Sequence, residues 1–192
     1  MLPGLRDATL DGQRIFREIL EATSRPGRIV DVTRAPAAPA PLHPVAAAVC
    51  LTLLDYETPL WIDAPAARPD VLEWLRFHTG APIVDRPDAA RFALITDAVA
   101  IPPFDAFDAG TAEYPDRSAT LIVQVRALLP GTGRRLTGPG IERETRLEVA
   151  GVSEGFWGWA RGNHALFPRG VDMLLSAGRT LAALPRTTRV ED

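Results

Sequence analysis

The first apolar positions of the chain recur at helical spacing. Ile15, Phe16, Ile19 and Leu20 form one apolar stripe, which predicts an amphipathic helix over residues 11–23. Asp11 precedes the stripe, and aspartate is a favoured residue for capping the N-terminus of a helix. The pattern therefore predicts a first helix that is capped by Asp11 and packs one face on a core.

Three further segments have helical patterns. The segment Pro44–Leu54 is apolar nearly all round, which predicts a buried helix with Pro44 in its first position and Cys50 as a core residue. A third helix is predicted to start at Pro69 and to end before Gly80. A last helix is predicted over 153–164, with Ser153 as its N-cap.

Short runs rich in β-branched and aliphatic residues alternate with these helices and predict strands. The predicted strands are 28–32, 60–63, 91–96, 119–126, 145–149, 171–175 and 181–184. Glycines and a proline at 130–133 predict a turn after the fourth of them. Because helices and strands interleave without a regular βαβ period, the chain is predicted to be an α/β protein with a mixed sheet flanked by helices.

A sharp corner is predicted between the strands at 119–126 and 145–149. Thr137, Gly138, Pro139 and Gly140 lie there, and a proline between two glycines favours an abrupt change of backbone direction. One interpretation is a bend between two strands of a sheet. The other is a loop whose exposed amides bind an anion, although Pro139 has no N–H to contribute.

Composition limits the class of protein. With 192 residues, 46% of them hydrophobic and 23% charged, the chain is predicted to form one globular domain over 1–192. The net charge of −3 argues against a general nucleic-acid or anionic-membrane binder. The N-terminus lacks a signal-peptide pattern, and the longest apolar run is about half of the ~20 residues that span a bilayer. The single cysteine is consistent with a cytoplasmic protein.

The residue inventory excludes several kinds of chemistry. All 21 basic residues are arginine, so a Walker-type phosphate loop and any Schiff-base enzyme are excluded. The three histidines, His43, His78 and His164, are not spaced as metal ligands are, and Cys50 is the single cysteine of the chain. We therefore expect no metal and no cofactor. No pairing of nucleophile and base is visible, so no catalytic residue is assigned.

Two arginines directly follow prolines near the end of the chain. Arg169 and Arg186 sit at predicted element boundaries, where a rigid backbone can position a guanidinium for an anion. Together with Thr137, Gly138 and Gly140 they form the candidate ligand site. The alternative is that these arginines form buried or interfacial ion pairs.

Several phrases along the chain, in order, resemble one family, the PhnH subunits of bacterial carbon–phosphorus lyase. They cover nearly the whole sequence: Ser24-Arg25-Pro26-Gly27, Leu51-Thr52-Leu53-Leu54-Asp55, Phe77-His78-Thr79-Gly80, Gly110-Thr111, Ser118-Ala119-Thr120, Leu136-Thr137-Gly138-Pro139-Gly140-Ile141, Leu166-Phe167-Pro168, Gly170-Val171-Asp172 and Leu184-Pro185-Arg186-Thr187-Thr188.

The resemblance implies a fold and a role. The implied fold is three-layered and similar to that of pyridoxal-phosphate-dependent transferases, without the cofactor site. The implied role is in a complex with the PhnG, PhnI and PhnJ subunits, which transfers the ribose triphosphate of ATP to an alkylphosphonate and releases adenine. A homodimer is also implied. Three hypotheses follow. The first is an assembly subunit without activity of its own, and the second is a stand-alone module that binds phosphonate or nucleotide through Arg169, Arg186 and the Gly138–Gly140 loop. The third, a free-standing hydrolase or transferase, ranks last because the sequence shows no base and nucleophile for it.

Overall fold

The computed structural model describes all 192 residues and has four α-helices. The helices are α1 (Ala8–Ser24), α2 (Pro44–Leu53), α3 (Pro69–Thr79) and α4 (Phe156–Ala165). Short 3-10 turns lie at Pro87–Ala89, Phe104–Ala106 and Pro115–Arg117. The second and third predicted helices are confirmed within about a residue at each end, and Gly80 ends α3 in the left-handed conformation with φ 71°.

Nine strands form two sheets. The strands are β1 (Val30–Asp31), β2 (Leu60–Ile62), β3 (Phe92–Ile95), β4 (Thr120–Gln124), β5 (Ala127–Thr137), β6 (Thr145–Ala150), β7 (Asp172–Ala177), β8 (Thr180–Leu184) and β9 (Arg189–Glu191). The larger sheet has the order β1-β8-β7-β4-β3-β2. Its neighbours are parallel from β7 through β4 and β3 to β2. β8 runs antiparallel to both of its neighbours, β7 and β1. The smaller sheet, β6-β5-β9, is antiparallel. The predicted α/β class with a mixed sheet is confirmed.

Side chains that alternate along the central strands build a core on each face of the larger sheet. Ile122 and Leu174 face the first core, which α1, α2 and α3 cover. Leu121 and Leu175 face the second core, which the smaller sheet and α4 cover. The smaller sheet shares this second face with α4, so helices lie on both faces of the mixed sheet, as predicted.

The first helix begins earlier than predicted. Asp7 is its N-cap, because one carboxylate oxygen accepts hydrogen bonds from the backbone N–H groups of Thr9 and Leu10. Asp11 lies in the first turn, and its carboxylate accepts from the N–H of Asp7 (3.2 Å). The N-cap prediction for Asp11 was wrong because two aspartates four residues apart both fit the capping pattern. Of the predicted stripe, Ile15 is buried and its neighbour Phe16 is 45% exposed.

Two other predictions were wrong at the ends of elements. α4 begins at Phe156 with Gly155 as its N-cap, and no side chain caps it, so Ser153 lies outside the helix. The predicted turn at 130–133 lies inside β5, where the strand bulges: Pro130 and Arg134 both pair with Leu147. A bulge and a turn use the same glycines, which explains the confusion.

Candidate functional site

The corner after β5 is a tight bend, and its two glycines are required by their neighbours. Gly138 has φ 130°, and a Cβ placed there would lie 2.7 Å from the carbonyl oxygen of Thr187. Gly140 has φ 84°, and its Cβ would lie 2.1 Å from the carbonyl oxygen of Ser24. The corner is therefore packed between the end of α1 and the segment before β9. The interpretation as a bend between strands is confirmed.

Arg186 is held by groups of the protein itself. Its guanidinium forms a two-pronged ion pair with Asp172 (3.2 and 2.5 Å) and donates to the carbonyl oxygen of Pro115 (2.5 Å). The backbone N–H of Arg186 also donates to Asp172 (2.9 Å). The side chain is only 14% exposed. This geometry favours the ion-pair interpretation. Through it, Arg186 joins the start of β7 to the segment that leads into β9.

The five candidate residues do not all meet. Thr137 and Gly138 line one cavity of about 300 Å³, whereas Gly140, Arg169 and Arg186 do not line it. Arg169 is exposed and belongs to none of the ion pairs.

The cavity contains residues that the sequence analysis did not assign to a site. Its lining consists of Thr137, Gly138, Pro139, His164, Phe167, Thr187 and Arg189. His164 lies in the last turn of α4, and Phe167 follows two residues after the end of that helix. Arg189 starts β9, a strand that the sequence pattern did not predict. The phrases that carry the family resemblance contain Phe167 and Thr187, but nothing local in the sequence shows that these residues meet the corner.

The imidazole of His164 has a fixed orientation. Its Nδ1 lies 3.1 Å from the backbone carbonyl oxygen of Arg186. A carbonyl oxygen only accepts hydrogen bonds, so Nδ1 carries the proton. Nε2 is then the ring nitrogen without a protein partner, and the imidazole is part of the cavity lining.

The charge of the cavity is positive. None of its seven lining residues is acidic. The acids near β9 are paired with other arginines: Glu191 with Arg135, and Asp192 with Arg134 and Arg161. Arg189 is therefore left without a carboxylate partner.

The larger cavity beside α1 has a different character. Its volume is about 680 Å³. Its lining contains four arginines and four acidic residues, and the acidic residues are Asp7, Asp11, Glu18 and Glu21. Arg34 faces Asp11 there at 3.8 Å. Because the two signs of charge balance in this cavity, it offers an anion no net attraction.

Other reactive groups are built into the core or stand alone. Burial raises the pKa of the Cys50 thiol to about 12, so it stays protonated at neutral pH and acts as a small core residue. His78 approaches the carbonyl oxygen of Leu2 (3.2 Å) and packs edge-on against Trp74.

No three histidine, cysteine or acidic side chains cluster as a metal site would require. None of the α-helices has the length and apolar character needed to cross a bilayer.

Fold and site together define an α/β protein that has a small basic cavity beside the corner after β5. The chain belongs to the family described as bacterial phosphonate metabolism protein (PhnH), whose model matches residues 3–191. This match confirms the resemblance that the sequence phrases carried.

Two relatives agree with this membership. The chain is 40% identical to the alpha-D-ribose 1-methylphosphonate 5-triphosphate synthase subunit PhnH of Rhizobium meliloti, over 96% of this chain and 92% of the relative. It is 33% identical to the putative C-P lyase subunit protein HtxG of Stutzerimonas stutzeri, over 93% of this chain and 85% of that protein.

Proposed function

We propose that the chain is a subunit of an enzyme complex that makes ribose 1-methylphosphonate 5-triphosphate during phosphonate use. The observation that carries this proposal is the end-to-end match to the Rhizobium meliloti subunit, which leaves no large part of either chain unmatched. The similarity to a putative carbon–phosphorus lyase subunit supports the same assignment.

Its role in that complex is to shape and stabilise the assembly. The state of the one thiol supports this role, because Cys50 is fully buried and its pKa is raised to about 12, so it stays protonated at neutral pH. We propose PhnG, PhnI and PhnJ as its partner subunits, a homodimeric state and a cytoplasmic location, as the family resemblance implies.

The proposed function comes with a proposed similarity of fold. We propose that the 192 residues form one domain similar to pyridoxal-phosphate-dependent transferases but without their cofactor. The absence of lysine supports this, because the chain has no amine side chain that could form an aldimine.

A co-purification experiment tests the assignment. The tagged chain is co-expressed with PhnG, PhnI and PhnJ from the same bacterium, and we expect all four to elute together in size-exclusion chromatography. The purified chain alone should release no adenine from ATP in the presence of methylphosphonate. Failure to associate at micromolar concentration, or turnover by the isolated chain, would contradict the assembly role.

A genetic test measures function in the cell. A strain that lacks its own PhnH subunit should regain growth on methylphosphonate as the only phosphorus source when this chain and its three partners are supplied. Growth on inorganic phosphate serves as the control, because it does not need the pathway. Omission of this chain alone should abolish the rescue.

A further inference from the structure

We propose that the cavity between the Gly138 corner and the end of α4 binds the oxyanion of a small phosphate or phosphonate compound. This inference goes beyond the proposed function, because a subunit that only holds an assembly together needs no ligand. It also revises the candidate site: Thr137 and Gly138 stay, while His164, Thr187 and Arg189 replace Gly140, Arg169 and Arg186.

The charge pattern selects an anion. Arg189 has no carboxylate partner, and the acids beside it on β9 and at the C-terminus are bound by Arg134, Arg135 and Arg161. A guanidinium binds the oxygens of a phosphate or phosphonate through parallel N–H donors. None of the residues that line this cavity is acidic, although the chain as a whole has a net charge of −3.

The other polar groups of the lining complete a set of donors. The imidazole of His164 is oriented by the carbonyl oxygen of Arg186, so its Nε2 can donate to an oxyanion when the ring is protonated. Thr137 and Thr187 bring hydroxyl groups to the same cavity. Tetrahedral oxyanions are bound by such mixed sets of guanidinium, imidazole and hydroxyl donors.

The lining is held in place before any ligand arrives. Asn163 exchanges two hydrogen bonds with the backbone of Val171 (2.9 and 2.8 Å), which fixes the end of α4 against the start of β7. The ion pair of Arg186 with Asp172 fixes the segment that carries Thr187. A preformed site loses less conformational entropy on binding.

The size and the rim indicate a small ligand. A volume of about 300 Å³ lies at the lower end of the range for small-molecule pockets. Phe167 lines the cavity and is 59% exposed, so it offers an apolar surface to an organic substituent. The ligand is therefore a phosphorus oxyanion with a substituent no larger than a sugar.

Calorimetry on the isolated protein tests the site without the partner subunits. Methylphosphonate, inorganic phosphate and ribose 5-phosphate are titrated separately into the protein in a phosphate-free buffer of low ionic strength. Binding of at least one of them is expected, and the tightest of the three identifies the source of the oxyanion. Absence of binding by all three up to about 10 mM overturns the proposal.

A pair of variants shows whether the anion sits in this cavity. Arg189→Gln should weaken binding about tenfold to a hundredfold, because it removes a charge-assisted hydrogen bond. Arg169→Gln is the matched control: Arg169 is also exposed and unpaired but lies outside the lining. If both substitutions weaken binding equally, attraction by surface charge explains the result and the proposal fails.

NMR spectroscopy gives an independent readout of location. The chain has three histidines, so the imidazole Cε1–H region contains three signals, and His164→Gln identifies one of them. The ligand should move the His164 signal and leave those of His43 and His78 in place. A shift confined to His43 or His78 would overturn the assignment.

Discussion

At the scale of single residues, glycine serves opposite purposes in different parts of the chain. Gly140 combines a positive φ with a direct backbone obstruction, because a Cβ there would lie 2.1 Å from the carbonyl oxygen of Ser24. Gly158 lies inside α4 at an exposed position, and a Cβ there would meet no atom within 4 Å. The first glycine is required by the fold, whereas the second only weakens a helix.

The two glycines give a paired prediction. Gly140→Ala should lower the free energy of unfolding by about 2–4 kcal/mol, because it adds left-handed strain and a steric clash. Gly158→Ala should raise it by about 0.5–1 kcal/mol, because alanine favours the helical state. Urea unfolding followed by circular dichroism measures both. If Gly140→Ala were as stable as the wild type, the packing of the corner on α1 would be wrong.

The same scale shows where sequence reasoning stops. The glycines of the corner were recognisable because φ > 0 and a neighbouring proline are local properties. The local sequence did not decide between Asp7 and Asp11 as the N-cap of α1, because both carboxylates fit the capping pattern. The contact of Gly140 with Ser24 joins residues more than a hundred positions apart, and no local pattern encodes it.

At the scale of elements, one buried carboxylate ties two neighbouring parallel strands together. Asp63 follows β2 and is 7% exposed. Its oxygens accept hydrogen bonds from the N–H of Thr96 (2.6 Å), the hydroxyl of Thr96 (2.9 Å) and the N–H of Asp97 (2.9 Å), directly after β3. Charge-assisted bonds of this kind are stronger than neutral ones, and their loss leaves buried donors without partners.

Removing this carboxylate should therefore be costly. Asp63→Ala is expected to lower the free energy of unfolding by about 3 kcal/mol, and Asp63→Asn by less, because the amide keeps one acceptor oxygen. Asp85→Ala is the control, since Asp85 is exposed, and its effect should stay within about 0.5 kcal/mol. Equal effects of Asp63→Ala and Asp85→Ala in thermal unfolding would contradict this role.

Most elements could be predicted from the sequence, but their partners could not. The seven predicted strands correspond to β1–β4 and β6–β8, because each contains apolar or β-branched residues, in a continuous run in β4 and β7 and in alternation in β6. β9, with the sequence Arg189-Val190-Glu191, is too short and too polar to show a period. It becomes a strand by pairing with β5, where Leu136 lies opposite Val190. The candidate site depends on this pairing, which explains why Arg189 was missed.

At the scale of the whole molecule, two hydrophobic cores share one sheet. The adjacent residues Leu174 and Leu175 of β7 are 4% and 0% exposed and point to opposite cores. A strand that contributes side chains to both cores couples their stability. If β7 leaves the sheet, both cores lose packing contacts at once. This coupling is the physical basis for proposing one domain.

The coupling predicts a single unfolding transition that responds to either face. Leu174→Ala and Leu175→Ala should each lower the free energy of unfolding by about 2–5 kcal/mol, through lost burial and the cavity left behind. In hydrogen-exchange mass spectrometry across a urea series, peptides from α2 and from β6 should lose protection at the same urea concentration in the wild type and in both variants. Were Leu174→Ala to release α2 while β6 stayed protected, the two faces would be separate folding units. The matched pair makes this outcome visible, since the two leucines are neighbours in one strand and differ only in the core that they enter.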